Sequence, residues 1–330
     1  MRIYLADIYH STRCGMAQFT KSQSMHLRVT TMCRYPFLLE SYFYTTEDMV
    51  KALRLAKDTL FLDSGAFSMF TRNVKVDLRA YSDFIKKHKD VIHIASNLDA
   101  IGQAQEEVSY TRQKELEDYG VKIQPVFHAR DKDEWLVRYL EEGYDYIFLG
   151  GMVPESTVYL KEWLDRIWHK YLTNPDGTAK VKVHGFGLTS LPLMFRYPWF
   201  SVDSTSWVMT SVHGSCFMDL PQLDGTTKDV KLDFSDRSKA KEKINSWHFD
   251  TLTKAEQGMV RSRLEIMEQA RPKFPELEAE LEKEMGCRQG FYPEALAKSY
   301  GWRDYANIEY FRRAMDRKVD RFVREQETLW

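Results

Sequence analysis

The chain has 330 residues, with 48 acidic and 47 basic side chains and a formal net charge of −1. That balance excludes a strong overall field of either sign, although it leaves room for a local basic groove. The length suits one barrel with appendages or two domains, and no apolar run approaches the ~20 residues that a membrane helix needs.

The first residues, Met1-Arg2-Ile3-Tyr4-Leu5-Ala6-Asp7, read as a strand and not as a targeting peptide. Four cysteines (Cys14, Cys33, Cys216 and Cys287) form no CxxC pair. Together these features predict a reducing cytoplasm. Further strands are predicted at 27–34, 59–62, 91–96, 122–127, 145–149, 181–186 and 199–203, after the first at 2–7. Amphipathic stretches separate most of them. Thr46 to Lys57 reads as a helix capped by Thr46, with Glu47 and Asp48 in its first turn. Leu78 to Lys89 places Tyr81, Phe84 and Ile85 on one face. Residues 103–119, 131–142 and 155–171 follow the same pattern.

Strands alternating with helices predict an α/β fold, a (β/α)8 TIM barrel over residues 1–230. An open doubly wound sheet is the alternative, although no GxGxxG follows the first strand. Residues 208–230 read as an irregular loop or a small hairpin. From about 236 the pattern is helical, with breaks near Pro272, Pro275 and Gly286 to Gly290, so 231–330 is expected to be a helical C-terminal extension. Its aromatic residues, Tyr292, Trp302, Tyr305, Tyr310 and Phe311, suit base stacking, but at this density the ordinary expectation is a core. Arg313, Arg317, Arg321 and Arg324 share one face of a predicted last helix, opposite Phe311, Met315, Val319 and Phe322. That face is either solvated and balanced by Asp316 and Asp320, or a stripe that binds nucleic-acid phosphates.

The predicted strand ends carry the chemistry. They read Asp63-Ser64-Gly65-Ala66-Phe67, Ser96-Asn97-Leu98-Asp99, Val126-Phe127-His128, Leu149-Gly150-Gly151-Met152, Val183-His184-Gly185 and Val202-Asp203-Ser204. A barrel delivers its active site at such ends. Three aspartates at one rim repel and raise one another's pKa, which calls for a chemical reason. Taken singly, Asp63-Ser64 and Asp203-Ser204 are also ordinary helix caps.

In this order the motifs resemble the tRNA-guanine transglycosylase superfamily, and most closely its DNA-acting branch, the 7-deazaguanine DNA transglycosylases. Asp63 to Phe67 resembles the family's Asp-Ser-Gly-Gly-Phe/Tyr phrase, with Ala66 in place of a glycine. Asp99 resembles the aspartate that reads the guanine edge, Gly150-Gly151-Met152 the backbone platform, and Asp203 the covalent nucleophile. The likeness spans roughly residues 60–207. It implies exchange of a guanine in DNA for a free 7-deazaguanine base (preQ0-like), with Asp203 attacking the sugar and Asp63 handling protons. Ser64, Phe67, Asp99, His128, Gly150, Gly151, Met152 and His184 would surround the base. His128 and His184 are equally readable as structural histidines.

The CxCxxC-plus-His zinc site of the tRNA enzymes is not present. His213, Cys216, His248 and Cys287 offer zinc-type ligands, but their irregular spacing makes buried cysteines and ordinary histidines the expectation, so no metal or cofactor is expected. A tRNA substrate, and an N-glycoside hydrolase on the same barrel, stand as alternatives. So does a binding module, whose tail would be its partner surface.

Overall fold

The structure is a computed structural model that describes residues 1–8, 35–102, 104–153, 155–188, 190–222, 226–239, 247–317 and 319–322. These fall into two compact units. One comprises the described residues of 1–9, 36–205 and 315–330, and the other those of 10–35 and 206–314.

The first unit is built on eight strands: β1 Arg2–Leu5, β2 Leu38–Ser41, β3 Leu60–Asp63, β4 Ile92–Ala95, β5 Val126–His128, β6 Tyr146–Gly150, β7 Lys182–Gly185 and β8 Ser201–Ser204. They form one sheet in the order β4-β3-β2-β1-β8-β7-β6-β5, and every pairing is parallel. Helices cross between the strands, as a parallel sheet requires. They include α1 Glu47–Ala56, α2 Ala66–Thr71, α3 Leu78–Lys87, α4 Glu106–Asp118, α5 Asp133–Glu141, α6 Thr157–Ile167 and α7 Leu191–Met194. Thr46 caps α1 as expected, accepting from the Met49 N–H, and Asp77 and Ser156 cap α3 and α6 in the same way. A π-helical turn, Trp168–Leu172, extends α6.

The sheet curls on itself. Phe61 of β3 and Phe148 of β6 are far apart in strand order, yet their rings lie 5.1 Å apart. The two outer strands meet at a single parallel bridge, Ser96 to Gln124, with the Gln124 N–H donating to Ala95 at 3.0 Å and the Asn97 N–H donating to Gln124 at 2.8 Å. This is a TIM-barrel-like enzyme fold. Its inner face is aromatic: Tyr4, Phe61, Tyr146 and Phe148 pack with Ala6, Leu39 and Val126.

Two strands differ from expectation. The predicted strand at 27–34 lies outside the described residues, and 38–41, just past Pro36, forms β2. The predicted strand at 122–127 begins only at Val126, because Pro125 has no N–H for a ladder and Gln124 makes only the bridge.

The second unit contains α8 Ser206–Val212, an antiparallel hairpin of β9 Ser215–Pro221 and β10 Thr227–Asp233, and helices α9 Lys254–Ala270, α10 Pro275–Met285, α11 Pro293–Lys298 and α12 Tyr300–Ala314. The 208–230 stretch is thus a helix end and a hairpin. Asn307 of α12 ties these pieces together, donating to the Trp207 carbonyl at 2.8 Å and accepting from the Phe217 N–H at 2.7 Å. Trp302, Tyr305, Tyr310 and Phe311 are buried, so they form core and not a stacking surface.

The predicted arginine stripe does not form. The helix ends at Ala314, so Arg317 and Arg321 lie beyond it, and Arg324 lies outside the described residues. Arg313, still on α12, pairs with Asp219 at 2.8 Å alongside Arg263. After Ala314 the chain belongs to the first unit, where Phe322 packs 5.1 Å from Tyr197 and its N–H donates to Gly177 at 2.9 Å.

Candidate active site

Strand alternation sets the site. Phe61, Val126, Phe148 and Leu39 face the interior, so residues two further along, Asp63, His128, Gly150 and Ser41, point the same way one layer nearer the strand ends. On β7 and β8, His184 and Ser201 are register partners, and Asp203 stands two residues beyond Ser201.

Asp63 is partly exposed. Burial of its surroundings, followed by the charge of Asp99, pushes its carboxyl up to about 7, with Asp203 adding to the effect. The Gly65 N–H, donating to Asp63 Oδ2 at 3.0 Å, opposes this only in part. The glycine is required there: Gly65 has φ +75°, and a Cβ would lie 2.4 Å from Ser41 Oγ and 2.9 Å from Phe43 Cβ. Ser96 Oγ accepts from the Ser64 N–H at 2.8 Å and makes a long contact, 3.5 Å, to Asp63 Oδ1.

Asp99 is buried and paired with His128, whose Nε2 lies 2.7 Å from Asp99 Oδ2. Asp131 holds the other side of His128: its Oδ2 accepts from the His128 N–H at 2.8 Å and lies 3.5 Å from Nδ1. Burial works against charge on this imidazole, but the bonds to Asp131 and Asp99 outweigh it and push the group up to about 10. Ser64 Oγ is 3.4 Å from Asp99 Oδ1.

Gly150 and Gly151 make room for His128. A Cβ on Gly150 would sit 2.9 Å from His128 Cδ2, and the Gly150 carbonyl already accepts from the Ala129 N–H at 3.1 Å. Met152 is buried beside them, whereas Phe67 on α2 is 61 % exposed.

Asp203 is 5 % exposed. Its Oδ1 accepts from the Gly187 N–H at 2.9 Å and lies 3.2 Å from His184 Nε2. His184 is completely buried, ringed by Phe61, Phe148, Phe186 and Tyr4 at 4.7, 5.1, 4.7 and 6.0 Å. Its Nδ1 is 2.6 Å from Ser201 Oγ, which is 2.5 Å from the Tyr146 hydroxyl. Burial pulls His184 below its ordinary value, and the bond to Asp203 recovers only part of that.

Ser201, His184 and Asp203 have the connectivity of a serine-hydrolase triad with its polarity reversed. The serine is fully buried and the carboxylate stands nearest the strand ends, so Ser201 has no access to a substrate. Of the three side chains in this chain of contacts, only the carboxylate keeps any exposure.

Ser96, Asp131, Gly187, Ser201 and Tyr146 were not foreseen as site residues. Two of them had a legible signal. Ser201 lies two residues before Asp203 on the same strand face, and Asp131 lies three after His128, where a strand-to-helix turn folds back. His213, Cys216, His248 and Cys287 belong to the second unit. Cys216 is buried on β9 with its thiol pushed up by burial, and His248 Nδ1 accepts from the Asp250 N–H at 3.1 Å. Among the described residues no cluster of histidine, cysteine and carboxylate could hold a metal ion, and no helix is long and apolar enough to cross a membrane.

No protein-family model matches the chain, and no curated protein matches it.

Proposed function

We propose that the sheet is a closed (β/α)8 barrel and that the chain is a DNA guanine transglycosylase, exchanging a guanine in DNA for a free 7-deazaguanine base. The observation that carries this reading is the division between two strand-end carboxylates, Asp63 and Asp203. Asp63 is tuned to about 7, while Asp203 Oδ1 is held by the Gly187 N–H and by contact with His184 Nε2. One proton-handling carboxyl and one oriented carboxylate are what base exchange through a covalent intermediate requires.

The target guanosine leaves the duplex to reach the strand ends. Asp203 Oδ2 attacks C1′. The C1′–O bond forms as the C1′–N9 bond breaks, and the electron pair of that bond goes to the base. Protonated Asp63 supplies the proton that the departing guanine takes up. The incoming base then gives a proton back to Asp63 and attacks C1′ with its nitrogen pair, and the ester bond to Asp203 breaks to restore the carboxylate. No proton, electron pair or water is left over. Asp99, oriented by His128, accepts from the ring N–H and amine of the base through Oδ1. Ser64, Phe67 and Met152 contribute the remaining walls.

An exchange assay tests this. The protein is incubated with duplex DNA and a radiolabelled 7-deazaguanine, with tRNA and Asp203→Ala as controls. Label entering DNA, but neither tRNA nor the mutant reaction, is the expected result. Label entering tRNA overturns the DNA substrate. Guanine released without incorporation makes the chain an N-glycoside hydrolase.

A further inference from the structure

We infer that His184, fixed by Ser201 and Tyr146, is a positioning residue for Asp203: a neutral imidazole that aims the carboxylate without forming an ion pair with it. The inference deepens the transglycosylase reading and rests on it for its kinetic arm.

The bonding pattern assigns the hydrogens. An ionised carboxylate only accepts, so the contact between His184 Nε2 and Asp203 Oδ1 requires a hydrogen on Nε2. A neutral imidazole then has Nδ1 as its acceptor, and Ser201 donates to it. With its hydrogen so committed, Ser201 Oγ accepts from the Tyr146 hydroxyl. The chain of donors runs Tyr146 to Ser201 to His184 to Asp203 and ends on one oxygen of the carboxylate. The Gly187 N–H goes to that same oxygen, which directs Oδ2 to the sugar.

The cage explains why the imidazole is neutral. Tyr4, Phe61, Phe148 and Phe186 surround a fully buried ring, and among the described residues Asp203 is the one carboxylate that pairs with it. An imidazolium here would tie up the nucleophile in an ion pair and blunt its attack. A neutral N–H donor holds its direction at less cost to its nucleophilicity. The sequence legible in this arrangement is His184 opposite Ser201 in register, with Asp203 two residues on.

Two measurements test it on the full chain. The first needs no activity: ¹⁵N NMR of histidine-labelled protein at neutral pH, with His184→Gln to identify the signal. The expected signal has a bare Nδ1 and a protonated Nε2. A protonated Nδ1, in the other tautomer or in an imidazolium, overturns the inference. The second is kinetic. His184→Leu should lower kcat about 10- to 100-fold with KM within about twofold, the scale of losing an orienting partner. His184→Gln, which keeps an N–H near the Nε2 position, should recover most of that loss, and Ser201→Ala should fall between the two. Thermal unfolding of each variant separates misfolding from mispositioning. A loss confined to KM, or Gln no better than Leu in a folded protein, overturns the inference. If the wild-type protein exchanges no base but shows the expected tautomer, the transglycosylase reading falls and the hydrogen-bond chain stands.

Discussion

Two histidine–aspartate pairs lie near the same strand ends and behave in opposite ways. His128 sits between two carboxylates, Asp99 and Asp131, and is pushed up to about 10. His184 meets one carboxylate inside an aromatic cage and is pulled down. The residue types are the same, and the balance of burial against the number of charged partners decides the outcome. In the proposed reaction the charged pair orients the base-binding carboxylate, and the neutral pair orients the reacting one.

The sharpest way to break the comparison is at the reacting group. Asp203→Asn keeps the shape and both donors' reach but removes the nucleophile, so base exchange should fall at least about 10⁴-fold while the circular dichroism spectrum is kept. Activity above that level would remove Asp203 from the covalent role.

Asp63 comes next. Asp63→Asn should cost about 10²- to 10³-fold. In the wild type the departure of guanine should slow as pH rises above about 7, where Asp63 loses its proton, and the variant should lack that limb. The raised carboxyl also predicts stability, because its folded form holds a proton that the unfolded form has released. Stability is therefore lost as pH rises from near 4 towards 7, and Asp63→Asn should raise Tm relative to wild type by roughly 2–4 °C at pH 8 and by much less at pH 4.

The histidines themselves predict opposite slopes. The contribution of His128 is fully present below its ordinary 6.5 and is lost as pH rises towards about 10. His128→Gln should therefore destabilise by about 1–3 kcal/mol at pH 6, with the difference shrinking by pH 10 in urea titrations. His184, lowered from 6.5, contributes above that value and loses its contribution as pH falls below it. Equal slopes from the two sites would end the contrast.

The smallest effect concerns packing. Gly150→Ala would place a methyl 2.9 Å from His128 Cδ2, so His128 must shift. A loss of about 1–2 kcal/mol in urea unfolding is expected, partly relieved in the His128→Ala background.

Much of the architecture was legible because its signals are local. Short apolar runs ending in Asp63, Gly150 and Asp203 alternate with capped helices, and Thr46 caps α1 as its sequence indicates. β2 was not legible, since Leu38–Ser41 follows closely on Pro36, which reads as a break and not as the approach to a strand. The arginine stripe was misread for a related reason. Periodicity continues through Arg317 and Arg321, but the helix ends at Ala314 and Phe322 packs on Tyr197, a contact distant in sequence that periodicity does not reveal. The aspartates of the site announced themselves. Their partners Ser96, Gly187 and Tyr146 did not, because a hydrogen bond between distant strands leaves no trace in either segment alone.

The most direct measurement is mass spectrometry of protein quenched in acid during turnover with duplex DNA. The account predicts a peptide spanning Ser201 to Trp207 that carries a sugar-linked DNA adduct on Asp203, absent from Asp203→Asn. Base exchange with no adduct, or an adduct on another residue, would contradict it.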